Sequence, residues 1–103
     1  MSRSANSPVV WFVSRHPGAV EWAQRHGLRI DRFVPHLDPD AVASGDTVIG
    51  TLPVHLAARL CERGANYLHL SLDLPPSWRG RELTADELDA AGARLDAFEI
   101  RRR

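Results

Sequence analysis

Apolar positions along the chain fall into short runs broken by glycine, proline and charge, and the spacing within the runs changes from one to the next. Val9-Val10-Trp11-Phe12-Val13 is continuous and rich in β-branched and aromatic residues, which predicts a strand covered on both faces and ending at Ser14. Between Pro17 and His26 the period lengthens. Ala19, Trp22, Ala23 and His26 recur at i, i+3, i+4 and i+7 while Glu21, Gln24 and Arg25 face elsewhere, and Gly27 supplies a stop, so a short amphipathic helix is expected. Ile30 to Val34 predicts a second strand, half polar through Asp31 and Arg32; Pro35 cannot donate to a ladder, which places that strand near an edge.

Beyond the loop His36-Leu37-Asp38-Pro39-Asp40, Thr47-Val48-Ile49 reads as a short buried strand closing on Gly50. Pro53 suits the first turn of a helix whose stripe is Leu56, Ala57, Leu60 and Cys61, with Gly64 after its end. Tyr67 to Leu72 alternates, with Leu68, Leu70 and Leu72 on one face and Tyr67, His69 and Ser71 on the other. Thr84 with Glu87 makes a capping box before a last helix, on which Leu88, Ala91, Leu95 and Phe98 share a side and Arg101, Arg102 and Arg103 meet the helix dipole. Strands alternating with helices predict a small α/β fold with a mainly parallel sheet, in which ligands bind outside the carboxyl ends of the strands.

Polar side chains collect at those ends: Ser14-Arg15-His16-Pro17-Gly18, then Pro35-His36-Leu37-Asp38, Gly50-Thr51-Leu52-Pro53 and Ser71-Leu72-Asp73. Two of these segments lead into helices whose free amides and positive dipole ends would point at a common crevice. Arg15 offers a planar fork suited to phosphate, Ser14 and Thr51 offer hydroxyls, and His16 can move a proton near neutral pH. The set is a candidate phosphate-ester site, against the plainer reading that Ser, Thr and His near helix starts satisfy backbone donors. His26 and His55 belong to helix faces and His69 to a packing or interface position. A metal site drawn from His36, Asp38 and Asp40 competes with ordinary Asp-Pro-Asp turn chemistry, which is favoured.

Composition narrows the partners. The chain has 103 residues, 44% of them hydrophobic, and its 13 basic residues balance 13 acidic ones. One domain is expected, with a real core but little surplus stability, so dimerisation is expected to help it. Zero formal net charge argues against a general nucleic-acid coat, and no DNA partner is expected. All 13 basic residues are arginine, which reflects base composition more than function. The single Cys61 excludes an intramolecular disulfide and a C-x-x-C zinc site. The leader Met1 to Ser7 carries no signal-peptide run, and no stretch nears the roughly 20 apolar residues of a membrane span; a cytoplasmic protein is expected, with neither membrane contact nor cofactor.

A strand followed by Arg-His and glycine resembles the histidine phosphatases, but Pro17 interrupts that motif and a chain this short offers little room for the second histidine and further arginines of that family. A second resemblance spans about Val9 to Glu99. The strings Trp11-Phe12-Val13-Ser14-Arg15-His16-Pro17-Gly18-Ala19, His36-Leu37-Asp38, Gly50-Thr51-Leu52-Pro53, Tyr67-Leu68-His69-Leu70 and Arg79-Gly80-Arg81-Glu82-Leu83 resemble a small family found beside type III CRISPR systems, the sixteenth of the Csx series. The resemblance implies a three-layer, Rossmann-like fold related to CARF domains, and a place among the ring nucleases, which linearise cyclic tetra-adenylate and switch off the antiviral signal.

The chemistry it implies needs no metal: the ribose 2′-hydroxyl attacks the adjacent phosphorus and expels the 5′-oxygen, leaving a 2′,3′-cyclic phosphate. The protein's part is alignment and charge stabilisation, on the order of 10²–10³ per well-placed donor. On this reading Arg15 holds the phosphate, His16 is the acid or base, and Ser14 assists. Thr51, Gly50, Leu52, His36, Ser71 and Asp73 bind the ring, with Asp73 or Trp78 near the bases. A two-fold homodimer would clasp the ring symmetrically. The alternative is a protein that binds cyclic oligoadenylate without cutting it, as a sponge or sensor; the titratable His16 beside Arg15 and the lack of a fused effector domain in 103 residues favour the enzyme.

Overall fold

The computed structural model describes residues 7–103, so the expectation about a leader falls largely outside the described residues. Five strands form one sheet: β1 (Val10–Val13), β2 (Arg32–Val34), β3 (Thr47–Gly50), β4 (Asn66–Ser71) and β5 (Arg94–Phe98), in the order β2-β1-β3-β4-β5. The first four run parallel, and β5 pairs antiparallel with β4. Three helices cover the faces: α1 (Pro17–Arg25), α2 (Val54–Glu62) and α3 (Ala85–Ala90). The result is the mixed, mainly parallel α/β architecture that the alternation of periods predicts, compatible with a small Rossmann-like fold.

Register explains the continuous apolar runs. Trp11 pairs with Val48 and Phe12 with Ile49, so alternate residues of the same strands enter opposite cores. Phe12, Ile49 and Leu70 pack with Ala19, Trp22 and Ala23 of α1 and Ala85 and Leu88 of α3. Trp11 and Val48 pack on the other side with Leu60 and Ala65. Tyr67, placed by its pairing with Val48 on the α2 side, is 2% exposed. The β4 alternation therefore sorts residues between two buried faces, and the tyrosine side is no solvent face.

The end of the chain departs from expectation. The capping box is present: Thr84 Oγ1 accepts the Glu87 amide at 3.1 Å and Glu87 Oε1 accepts the Thr84 amide at 3.0 Å. The helix nevertheless stops at Ala90, because Gly92 takes a left-handed φ of 73°, which glycine alone adopts at little cost. The chain then returns as β5. Leu95 pairs with Leu70 and Phe98 with Tyr67, on opposite faces of the sheet, so the spacing that mimicked a helical stripe is strand geometry. Arg101, Arg102 and Arg103 consequently follow a strand and complement no helix dipole; Arg101 pairs with Glu99 at 3.0 Å.

Asp46 ties the sheet's entry edge together. Its carboxylate, 3% exposed, accepts the Val9 amide at 2.9 Å, the Ala43 amide at 3.0 Å and the Trp11 indole N–H at 3.1 Å. Burial pushes its pKa upward, but these donors, with Arg32 nearby, outweigh it and hold the group below 3.8. Asp46→Ala strands all three donors and is expected to lower stability by about 3 kcal/mol at neutral pH. Because the folded pKa is depressed, the carboxylate's contribution is present above 3.8 and is lost as pH falls through the folded value. Urea midpoints of wild type and variant should therefore converge in acid; a gap unchanged from pH 7 to strong acid would contradict this role.

Candidate functional site

Strand order locates the site. After β1 the chain leaves through α1 toward β2, and after β3 it leaves through α2 toward β4, on the other side and the other face. The carboxyl ends of β1 and β3 are thus a topological switch point, where diverging connections open a crevice. A cavity of about 700 Å³ lies there, lined by Ser14, Arg15, His16, His36, Gly50, Thr51 and Leu52 among others, a size typical of small-molecule sites. Gly50 allows the close approach of the two strands: a Cβ there would lie 3.0 Å from the Val13 carbonyl oxygen.

The β1–α1 turn places Arg15 and His16 at the mouth of the crevice. Ser14 Oγ accepts the His16 amide at 3.0 Å, so its oxygen shapes the turn. His16 occupies the N-cap with extended backbone, yet its ring makes no capping bond. Both Arg15 and His16 are exposed. Arg25, Arg29, Arg59, Arg63, Arg81, Arg94 and Arg101 each meet a carboxylate. Arg15 lines the crevice and has no ion pair or hydrogen bond among the described residues, so an uncompensated guanidinium faces the cavity.

The β3–α2 turn is held from behind. Tyr67 Oη lies 2.9 Å from the Leu52 amide, 3.2 Å from the Gly50 carbonyl and 2.7 Å from His69 Nδ1. A phenol has one proton and two acceptor positions. All three contacts are satisfied together when Leu52 N–H and His69 Nδ1–H donate and the hydroxyl donates to Gly50. Burial raises the Tyr67 pKa above 10.0, the Leu52 amide opposing, which keeps that proton in place. The Leu52 amide is thereby taken from any ligand. Thr51 donates its hydroxyl to the Leu70 carbonyl at 3.2 Å, so toward the cavity it offers only lone pairs. Pro53 is the N-cap of α2 rather than a first-turn residue and supplies no side-chain cap.

Seven of the nine residues proposed from sequence come together here: Ser14, Arg15, His16, His36, Gly50, Thr51 and Leu52. Ser71 and Asp73 do not line the crevice. Ser71 pairs with Arg94 across the β4–β5 ladder, and the Asp73 carboxylate lies 3.4 Å from Arg94 at the Gly92 turn. Trp78 packs beneath Arg81 instead of entering the cavity. Asp38 caps a 3-10 turn by accepting the Asp40 amide at 3.0 Å, and Asp40 meets Arg59 and Arg63. His26 donates its Nε2–H to the Asp89 carboxylate at 2.7 Å on the α1–α3 surface, and His69 packs edge-on against Phe98.

Residue types alone did not single out Arg81, Glu82 and Leu83, which also line the crevice. The signal that would have found them is the strand after Gly92. Since β5 starts opposite Ser71, everything from 72 to 93 is an excursion at the carboxyl edge, and its loop falls on the crevice. Gly18 fixes that placement: a Cβ there would overlap the Leu83 carbonyl oxygen, so only glycine lets the loop pack on the first turn of α1.

The fold and its cavity define a small Rossmann-like α/β protein with a basic crevice at the switch point of a mainly parallel sheet. Comparison of the sequence places it more narrowly. The model of the family described as "Putative CRISPR-associated protein (Cas_VVA1548)" matches residues 11–101, and the chain belongs to that family. No curated protein and no solved structure matches the chain. Among the described residues, no helix is long and apolar enough to cross a membrane.

Proposed function

We propose that the protein is a ring nuclease that linearises cyclic tetra-adenylate in type III CRISPR defence. The observation that carries this reading is the uncompensated Arg15 guanidinium beside an uncapping His16, at the mouth of a crevice of nucleotide size. Membership of a CRISPR-associated family supports it. Arg15 binds a phosphodiester through its planar fork. His16 takes or gives the proton as the ribose 2′-hydroxyl attacks phosphorus and the 5′-oxygen leaves, so the products end in 2′,3′-cyclic phosphate and no metal is used. Leu37, Leu52, Leu56 and Leu72 give the bases an apolar wall. His36 and the Gly50-Thr51-Leu52 backbone shape the floor.

The ring's approximate fourfold symmetry fits a two-fold homodimer in which each copy handles half of it. A second reading is sequestration without cleavage. It is favoured by one observation: Thr51 donates its hydroxyl to the Leu70 carbonyl and Ser14 Oγ is tied into the turn by the His16 amide, which leaves His16 as the principal proton carrier at the mouth. Calorimetric titration of cyclic tetra-adenylate into the protein in EDTA tests the shared premise. Saturable binding at one ring per two chains is expected; absence of binding would remove both readings.

A further inference from the structure

The loop before α3 carries a second arginine into the crevice. Arg81 lines the cavity, and the contact between Leu83 and Gly18 seats its loop against the first turn of α1, next to Arg15 and His16. Its guanidinium is held in a defined orientation. Nη2 donates to Glu87 Oε2 at 2.8 Å, and the Cζ lies 5.0 Å from the centroid of the Trp78 ring. Glu87 is itself immobilised, because its other oxygen accepts the Thr84 amide in the capping box. One nitrogen and one face of the guanidinium are therefore occupied, while Nε and Nη1 have no partner among the described residues. An exposed ion pair of this kind adds little stability, so the fold gains little from Arg81 that a shorter side chain would forfeit.

We propose that Arg81 is a second phosphate-binding residue of the crevice, oriented by Glu87 and Trp78 to bind a second phosphodiester of the ligand through the guanidinium N–H groups that Glu87 leaves free. The proposal rests on the proposed function and supplies what that reading lacks. A ring of four phosphodiesters shared between two copies presents two to each crevice, and Arg15 serves one. Glu87 does not have to release Arg81, since the guanidinium fork offers separate edges to separate acceptors.

The test is the affinity of the full chain for labelled cyclic tetra-adenylate in EDTA, with Arg15→Ala as the reference variant. Arg81→Ala is expected to weaken binding about 10- to 100-fold, the loss typical of a charge-assisted contact. Arg81→Lys should recover part of it, keeping the charge but losing the fork. Glu87→Gln separates orientation from folding, because glutamine still completes the capping box. It should keep the wild-type melting temperature and lose less affinity than Arg81→Ala. If wild type binds and Arg15→Ala weakens binding while Arg81→Ala leaves it unchanged, the proposal is overturned and the functional reading stands. If wild type does not bind, the reading fails and the proposal fails with it.

Discussion

His16→Ala is expected to abolish ring opening while leaving the ring bound. Among the described residues the side chain makes no hydrogen bond or ion pair and caps nothing, so its removal should leave the fold and the melting temperature as they are. As the proton carrier it should contribute on the order of 10²–10⁴ in rate. Single-turnover cleavage of cyclic tetra-adenylate should fall by about that factor, with only a small change in Kd from titration. Equal cleavage rates in wild type and variant would remove His16 from the chemistry and shift the account toward sequestration.

Arg15→Ala should act on both quantities. Every other arginine named at a carboxylate is already neutralised in part by its partner, whereas Arg15 faces the cavity uncompensated. Loss of its fork should weaken binding about 10- to 100-fold, and cleavage at saturating ring should also fall, because the contact tightens as charge develops on the non-bridging oxygens. Arg15→Lys is expected to restore binding more than rate, since a point charge attracts the phosphate but cannot hold it at two points. Affinity unchanged in Arg15→Ala would mean that the ligand enters elsewhere.

Much of this arrangement could be read from the residues because backbone topology and side-chain chemistry pointed the same way. Val9 to Val13 and Thr47 to Gly50 have the pattern of buried parallel strands, and the rule for such sheets places Ser14-Arg15-His16 and Gly50-Thr51-Leu52 at one crevice. What escaped depended on distinctions finer than periodicity. Leu88, Ala91, Leu95 and Phe98 fit a helical stripe, yet Gly92 turns left-handed and sends Leu95 and Phe98 to opposite faces of a strand.

The site's far wall is equally hidden from periodicity. Arg81 reaches the crevice because Leu83 packs on Gly18 at the start of α1, a contact that no periodicity signals. Likewise, nothing in a sequence distinguishes a threonine hydroxyl aimed at ligand from one donated to the Leu70 carbonyl. Nor does it reveal that Tyr67, on the face paired with Val48, reaches under β3 to claim the Leu52 amide. Asp73, by contrast, looked like a strand-end ligand and is drawn to Arg94 by the β4–β5 pairing that the helical expectation left out.

The central claim is that this crevice opens a cyclic oligoadenylate without metal, and the most direct test is the fate of labelled cyclic tetra-adenylate incubated with wild-type protein in excess EDTA, with bound ring and linear products resolved over time. The account predicts linear fragments ending in 2′,3′-cyclic phosphate; a ring that stays tightly bound and intact throughout would contradict it.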